Sequence, residues 1–144
     1  MNKELFIAVC DRIEAEVPEI RWVDADMGQL NTSGTRPPVA FPCCLVDMRY
    51  PRCDNHQAGK QLVHVQFSLR IAFAGCGTAA TAAPAKVREQ ALGCLDTLER
   101  IHAAMQWWNY GQRINPLQRV SVVPERRTDG LKVYNVIYDS AFMD

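Results

Sequence analysis

The chain has 144 residues, the length of one ordinary domain, and can bury about 68–70% of its unfolded surface without a disulfide or metal staple. Its 48% hydrophobic and 22% charged content excludes a disordered chain and a coiled coil. Sixteen basic residues offset sixteen acidic ones, so no net field holds nucleic acid or an anionic membrane, and any nucleic-acid role has to be local.

From Asn2 to about Glu16, Leu5, Phe6, Val9, Ile13 and Val17 recur at helical spacing with charged residues opposite them, which predicts an amphipathic helix stopped by Pro18. The first residues have no basic start and no apolar run of the signal-peptide kind, and no stretch reaches the roughly 20 apolar residues of a membrane span. A cytoplasmic protein is expected. Ile20 to Ala25 reads as a short strand. Gly28 to Pro38, rich in Gly, Asn, Thr, Ser and Pro, reads as an exposed loop.

Val39 to Met48 is apolar enough for a strand, with Pro42 confining it to a sheet edge or a bulge. Arg49 to Lys60 is polar and reads as a long connecting loop. The clearest segment follows: Val63, Val65, Phe67, Leu69, Ile71 and Phe73 face one way, and His64, Gln66, Ser68 and Arg70 the other. This predicts a long, half-buried antiparallel strand paired with Val39 to Met48. Gly75 to Ala83 is a small-residue linker, and Pro84 opens a second amphipathic helix. Its expected stripe is Val87, Ala91, Cys94, Leu95, Leu98, Ile101, His102 and Met105. Beyond Trp107, Trp108 and Gly111 the period stops. Arg119 to Pro124 and Leu131 to Phe142 then form a hairpin through Thr128-Asp129-Gly130.

This order, with strands grouped around only two helices, predicts a single α+β domain over residues 1–144. Its sheet is largely antiparallel, and both helices pack on one face. The expected core is Leu5, Val9, Ile13, Val65, Phe67, Leu69, Ile71, Leu95, Leu98 and Ile101.

The search for chemistry yields no catalytic site. No Walker-type run or G-x-G-x-x-G is present, and Gly75-Cys76-Gly77 lacks the remaining glycine and lysine. Six cysteines (Cys10, Cys43, Cys44, Cys53, Cys76 and Cys94) read as reduced thiols packed as small hydrophobes. The nearest metal signature, Cys53-Asp54-Asn55-His56, offers one ligand pair where structural zinc sites show two. His64 stands on the polar face of the long strand, within conceivable reach of Cys43 or Cys44 as a Cys–His pair. A surface imidazole beside a half-buried thiol explains it as well. His102 reads as a hydrogen-bonded boundary residue, and Asp24 with Asp26 as a solvated face. Adjacent Trp107 and Trp108 point about 100° apart on a helix, so one packs inward and the other is free to anchor a partner. Arg126 and Arg127 in the last hairpin, and Arg49, Arg52 and Lys60 in the long connector, are small basic groups that ring symmetry would multiply.

The layout as a whole resembles the phage tail terminator and tail-completion proteins, including the minor tail protein U type. The likeness lies in the N-terminal helix Leu5 to Val17, the proline-bearing Pro38-Val39-Ala40-Phe41-Pro42, a charged loop, the alternating Val63 to Phe73, a small-residue linker, the helix Pro84 to Met105 and a final hairpin. It spans nearly the entire chain and has no diagnostic motif. The resemblance implies a non-enzymatic subunit without cofactor or metal that forms a homo-oligomeric ring, a hexamer in that family. Such a ring caps the tail tube and joins it to head-completion proteins. DNA is then only passing cargo, no membrane is involved, and the protein moves from the host cytoplasm into the virion tail. Arg49, Arg52, Lys60, Trp107, Trp108, Arg126 and Arg127 are the implied ring or partner contacts, with the Arg49 to Lys60 loop protruding or lining the channel. A stand-alone protein-binding or regulatory module, and a small thiol-dependent enzyme, are the other readings.

Overall fold

The computed structural model describes residues 1–31 and 36–144. The expected Gly28 to Pro38 loop lies partly outside the described residues. Helix α1 (Asn2–Glu16) leads to a short strand β1 (Trp22–Ala25) and a 3-10 turn at Gln29–Asn31. Strands β2 (Cys43–Asn55) and β3 (Gln61–Phe73) form a hairpin, helix α2 (Ala85–Met105) follows, and β4 (Gln118–Glu125) and β5 (Lys132–Met143) close the chain. The five strands make one sheet in the order β1-β2-β3-β5-β4, antiparallel except for the β1–β2 pair. This is the α+β class that the sequence predicts.

β3 is the central strand, and its alternation decides which face is covered. Val63, Val65, Phe67, Leu69, Ile71 and Phe73 are buried in one cluster with Leu5, Val9 and Ile13 of α1, Cys94, Ile101 and Met105 of α2, and Val136, Tyr138 and Phe142 of β5. Both helices therefore lie on one face. On the other face a smaller cluster forms from Leu30, Val39, Cys43, Leu45, Ala72 and Val133. The segment expected as an exposed loop thus contributes Leu30, which is fully buried, because the strand residues Cys43, Leu45 and Ala72 leave apolar surface there that needs a cover.

Three expectations change. The strand expected at Val39 to Met48 starts only at Cys43, after the proline that cannot donate to the ladder. It then runs on to Asn55, through most of the segment expected as a loop. Its polar residues belong to a solvated strand face, and Pro51 is accommodated where the register shifts between Arg49 and Arg52. The true connection is His56 to Lys60, with Ala58 in the left-handed region at φ 63°. β2 is also no simple edge strand, since β1 covers its first residues. In α2, finally, Leu95 is 43% exposed and Val87 39%. The buried stripe instead advances through Ala91, Cys94, Thr97, Ile101, Ala104 and Met105. Leu95 stands about 100° around the helix from Cys94 and so misses the core, while Leu98 is half-buried.

An ion-pair network ties the last hairpin to the N-terminal part of the sheet. Arg70 of β3 donates to Glu125 through Nε (2.8 Å) and Nη2 (3.0 Å) and reaches Asp26 at 3.5 Å. Arg127 donates to Glu125 (3.0 Å), to Asp129 (2.7 Å) and to the carbonyl of Leu30. The Arg70 and Arg127 side chains are only 13% and 14% exposed, so these pairs are better shielded than ordinary surface bridges. The bonds from Arg70 first, and those from Arg127 as well, hold the Glu125 carboxyl below its ordinary pKa.

Two outcomes follow from this packing. Phe67→Ala is expected to cost about 3–5 kcal/mol, because Phe67 is fully buried, whereas Leu95→Ala should stay within about 0.5 kcal/mol. Chemical denaturation of both variants checks the assignment of faces, and equal losses would contradict it. For Glu125, a depressed folded-state pKa means that protonation favours the unfolded chain. Its stabilising contribution is complete above the ordinary carboxylate range and is lost as pH falls through the folded-state value. Thermal unfolding measured from about pH 6 to about pH 3 should therefore fall less steeply for Glu125→Gln than for the natural protein. Identical slopes would contradict this.

Candidate functional site

The basic residues singled out from the sequence stand on or near the solvated sheet face, and most are engaged. Arg49 Nε donates to Gln66 Oε1 (2.7 Å), and Gln66 in turn donates to Asp139 (2.9 Å). Arg52 donates to Asp54 (2.9 Å), whose other oxygen meets His64 Nε2 at 3.1 Å. Ser68 donates to Asn135 (2.7 Å) in the same layer. Apart from Arg52–Asp54, which runs along β2, these are cross-strand polar contacts, the usual way in which a sheet satisfies side chains on its wet face. Arg127 is locked in the network described above and is no free cation. Lys60 and Arg126 are exposed. Arg49 and Arg52 lie on a strand and not on a protruding loop, because β3 pairs with β5 as far as Leu62 and Met143 and so binds the hairpin into the sheet almost to its tip.

Trp107 and Trp108 are divided between surface and interior. The chain leaves α2 at Met105, and Trp107 takes a left-handed backbone (φ 67°) while its amide donates to the Leu117 carbonyl (2.8 Å). Trp107 is 63% exposed. Trp108 is half-buried, with Arg12 over its ring at 5.4 Å and Tyr110 at 5.6 Å. Arg12 of α1 also donates to the Ala104 carbonyl (2.6 Å), which places a cation at the C-terminus of α2, where the helix dipole favours it. This contact couples α1 to the Trp108 turn.

The chemical alternatives find no joint geometry. Register sets Cys43 opposite Ala72 and Cys44 opposite Ile71, while His64 faces Arg52. His64 is thus removed from both thiols by roughly 25 Å of strand, and the conceived Cys–His pair does not form. Burial pushes the Cys43 thiol up to about 11 and Cys44 higher still, which favours the protonated thiol. Among the described residues, no three His, Cys, Asp or Glu side chains gather as metal ligands. Asp26 pairs with Arg70, and Asp24 accepts from its neighbour's amide, so these two carboxylates serve different contacts. His102 Nδ1 meets the Tyr138 hydroxyl at 3.2 Å at the core boundary, as its position on the stripe suggested.

Two surfaces escaped the sequence reading. On β4, Val120, Val122 and Val123 are 56%, 39% and 55% exposed on the outermost strand. On α1, Ile7 is 45% exposed beside a hollow of about 500 Å³ that it lines with Phe6, Val46 and Met48. The β4 signal was present in the sequence, because a strand apolar at both Val122 and Val123 cannot turn both toward one core. The hollow carried no such signal, since it depends on where β1 ends.

No helix among the described residues is long and apolar enough to cross a membrane. No family model matches the chain, and no curated protein does. Among solved structures, the chain is similar to one from the "virion of native gene transfer agent (GTA) particle", at a TM-score of 0.52 and 12% identity. The likeness covers 97% of this chain and 95% of that one, so it extends over the whole fold and is a likeness of fold.

Proposed function

We propose that the chain is a structural subunit of a phage-like particle, and specifically a tail-terminator-type protein. In this role it forms a homo-oligomeric ring, of six subunits by the family resemblance, that caps the tail tube and receives head-completion proteins. The observation that carries this reading is the end-to-end likeness in fold to a chain of the gene transfer agent virion, with neither chain leaving a sizeable part unmatched. The charge distribution supports it. A ring through which DNA passes needs a surface that does not grip phosphates, and the formal net charge here is zero. Arg49, Arg52 and Arg127 are bonded to amide or carboxylate partners within the chain, which leaves less free cation to hold a backbone. Trp107, Lys60 and Arg126 are exposed at the C-terminus of α2 and at the tips of the two hairpins, where they serve as contacts to tube or head proteins in this reading.

The test is the mass of the purified protein in solution across a concentration series, alone and mixed with tail tubes of the particle it belongs to. A discrete closed multiple of the chain, expected to be six, is the predicted result. A monomer under every condition, tubes included, would remove the terminator reading.

A further inference from the structure

Two of the six thiols come from different parts of the chain onto one hollow. Cys76 is half-buried in the irregular stretch between β3 and α2, and Cys94 is buried midway along α2. Both line a hollow of about 240 Å³ together with Phe41, Phe73, Gln90 and Thr97. Cys76 packs against the core cluster to which Cys94 belongs. Burial first, and the charge of Cys94 next, raise the Cys76 thiol above its ordinary value. Tyr134 of β5 stands beside both, its hydroxyl raised by burial first and then by Cys94 and Cys76. The backbone on the Cys76 side is adjustable. Gly75 takes the left-handed region (φ 68°) with open space where a Cβ would stand, and residues 74–84 belong to no helix or strand. Gly77 lies against Val87 in the first turn of α2, 3.6 Å from a Cβ at that position, and the Ala79 carbonyl accepts from Arg88 Nε (3.1 Å). The linker is thus folded back on the start of α2 and carries Cys76 to the helix.

The other thiols have no equivalent arrangement. Cys43 and Cys44 are successive residues of β2 and turn into separate clusters on opposite faces. Cys53 is exposed near the far end of that strand. Cys10 and Cys44 share a cluster, but they stand on a helix and a strand, and Cys44 is closed to solvent. We infer that Cys76 and Cys94 are a reversible dithiol–disulfide pair, a covalent staple between linker and α2 that closes in oxidising surroundings and opens in thiol-rich ones. A disulfide holds its two Cα atoms about 4.4–6.8 Å apart, and a linker can settle into that span where a strand cannot. The oxidant is a low-molecular-weight disulfide. The Cys76 thiolate, the one reachable from solvent, attacks one of its sulfurs; that S–S bond breaks, one small thiolate leaves, and a mixed disulfide stands on Cys76. Cys94 then gives up its proton and attacks the Cys76 sulfur, and the second small thiolate leaves. The two protein thiols lose two electrons, and the small disulfide gains them and takes up the two protons as two thiols. The new bond closes a loop over residues 77–93, which stabilises the fold by restricting the unfolded chain.

The reduced protein, incubated with oxidised glutathione in the absence of denaturant, tests this. It should lose two of its six titratable thiols, and proteolytic mapping should find the Cys76 and Cys94 peptides joined to each other. The thermal midpoint should rise by about 5 °C or more, and dithiothreitol should reverse both changes. Cys76→Ser should stay folded by circular dichroism and show neither the link nor the rise. Cys94→Ala should hold the reaction at the glutathione adduct on Cys76. An unchanged thiol count, a link between Cys10 and Cys44 in place of this one, or a link that forms only in denaturant would each overturn the pairing. A Cys76–Cys94 bond that leaves the thermal midpoint where it was would overturn the staple. Neither readout depends on assembly, so a failure here leaves the ring reading standing.

Discussion

The alternation of β3 is the constraint on which the rest of the molecule depends. A strand whose side chains point by turns to opposite faces, with Val63, Val65, Phe67, Leu69, Ile71 and Phe73 on one of them, leaves a continuous apolar strip that must be covered. β2 and β5 pair on its two sides in registers that extend the strip sideways, and α1 and α2 cover it. The other face is left to His64, Gln66, Ser68 and Arg70, which find partners across the strands. Arg70 in particular links the last hairpin to the segment that follows β1. A one-residue slip of β3 would turn the polar row into the core and expose the apolar one.

What could be read from the sequence followed the same periodicity. β3, α1 and the closing hairpin fall within one or two residues of expectation, because each repeats one period with few exceptions. The misreadings arise where the period is diluted. Arg49 to Asn55 look like a loop because their polar side chains lie on a solvated strand with a proline in its bulge. The stripe of α2 includes small residues and Thr97, so a reading that favoured large side chains chose Leu95 over them. Leu30 could not be foreseen as buried, since its cover depends on apolar residues that only the folded sheet brings beneath it. The separation of His64 from the thiols was likewise set by register, a property of pairing and not of composition.

Candidate contacts divide along the same line. The arginines that stood out in the sequence are largely spent on internal bonds, whereas Val120, Val122, Val123 and Ile7 are exposed without an internal role. Apolar surface left on an edge strand invites pairing with another chain, and natural proteins keep such edges where assembly uses them or blunt them where it does not. The shortness of β1 and the bare edge of β4 give this fold two unlike ends. Unlike ends suit a closed ring better than a two-fold dimer, in which one surface must complement itself.

A reconstruction of the assembled protein by electron cryomicroscopy, at a resolution that separates strands, tests this account most directly. The account predicts a discrete closed ring of copies of this chain, joined head to tail through unlike surfaces. Two-fold pairs joined by like surfaces, or single chains that never assemble, would contradict it.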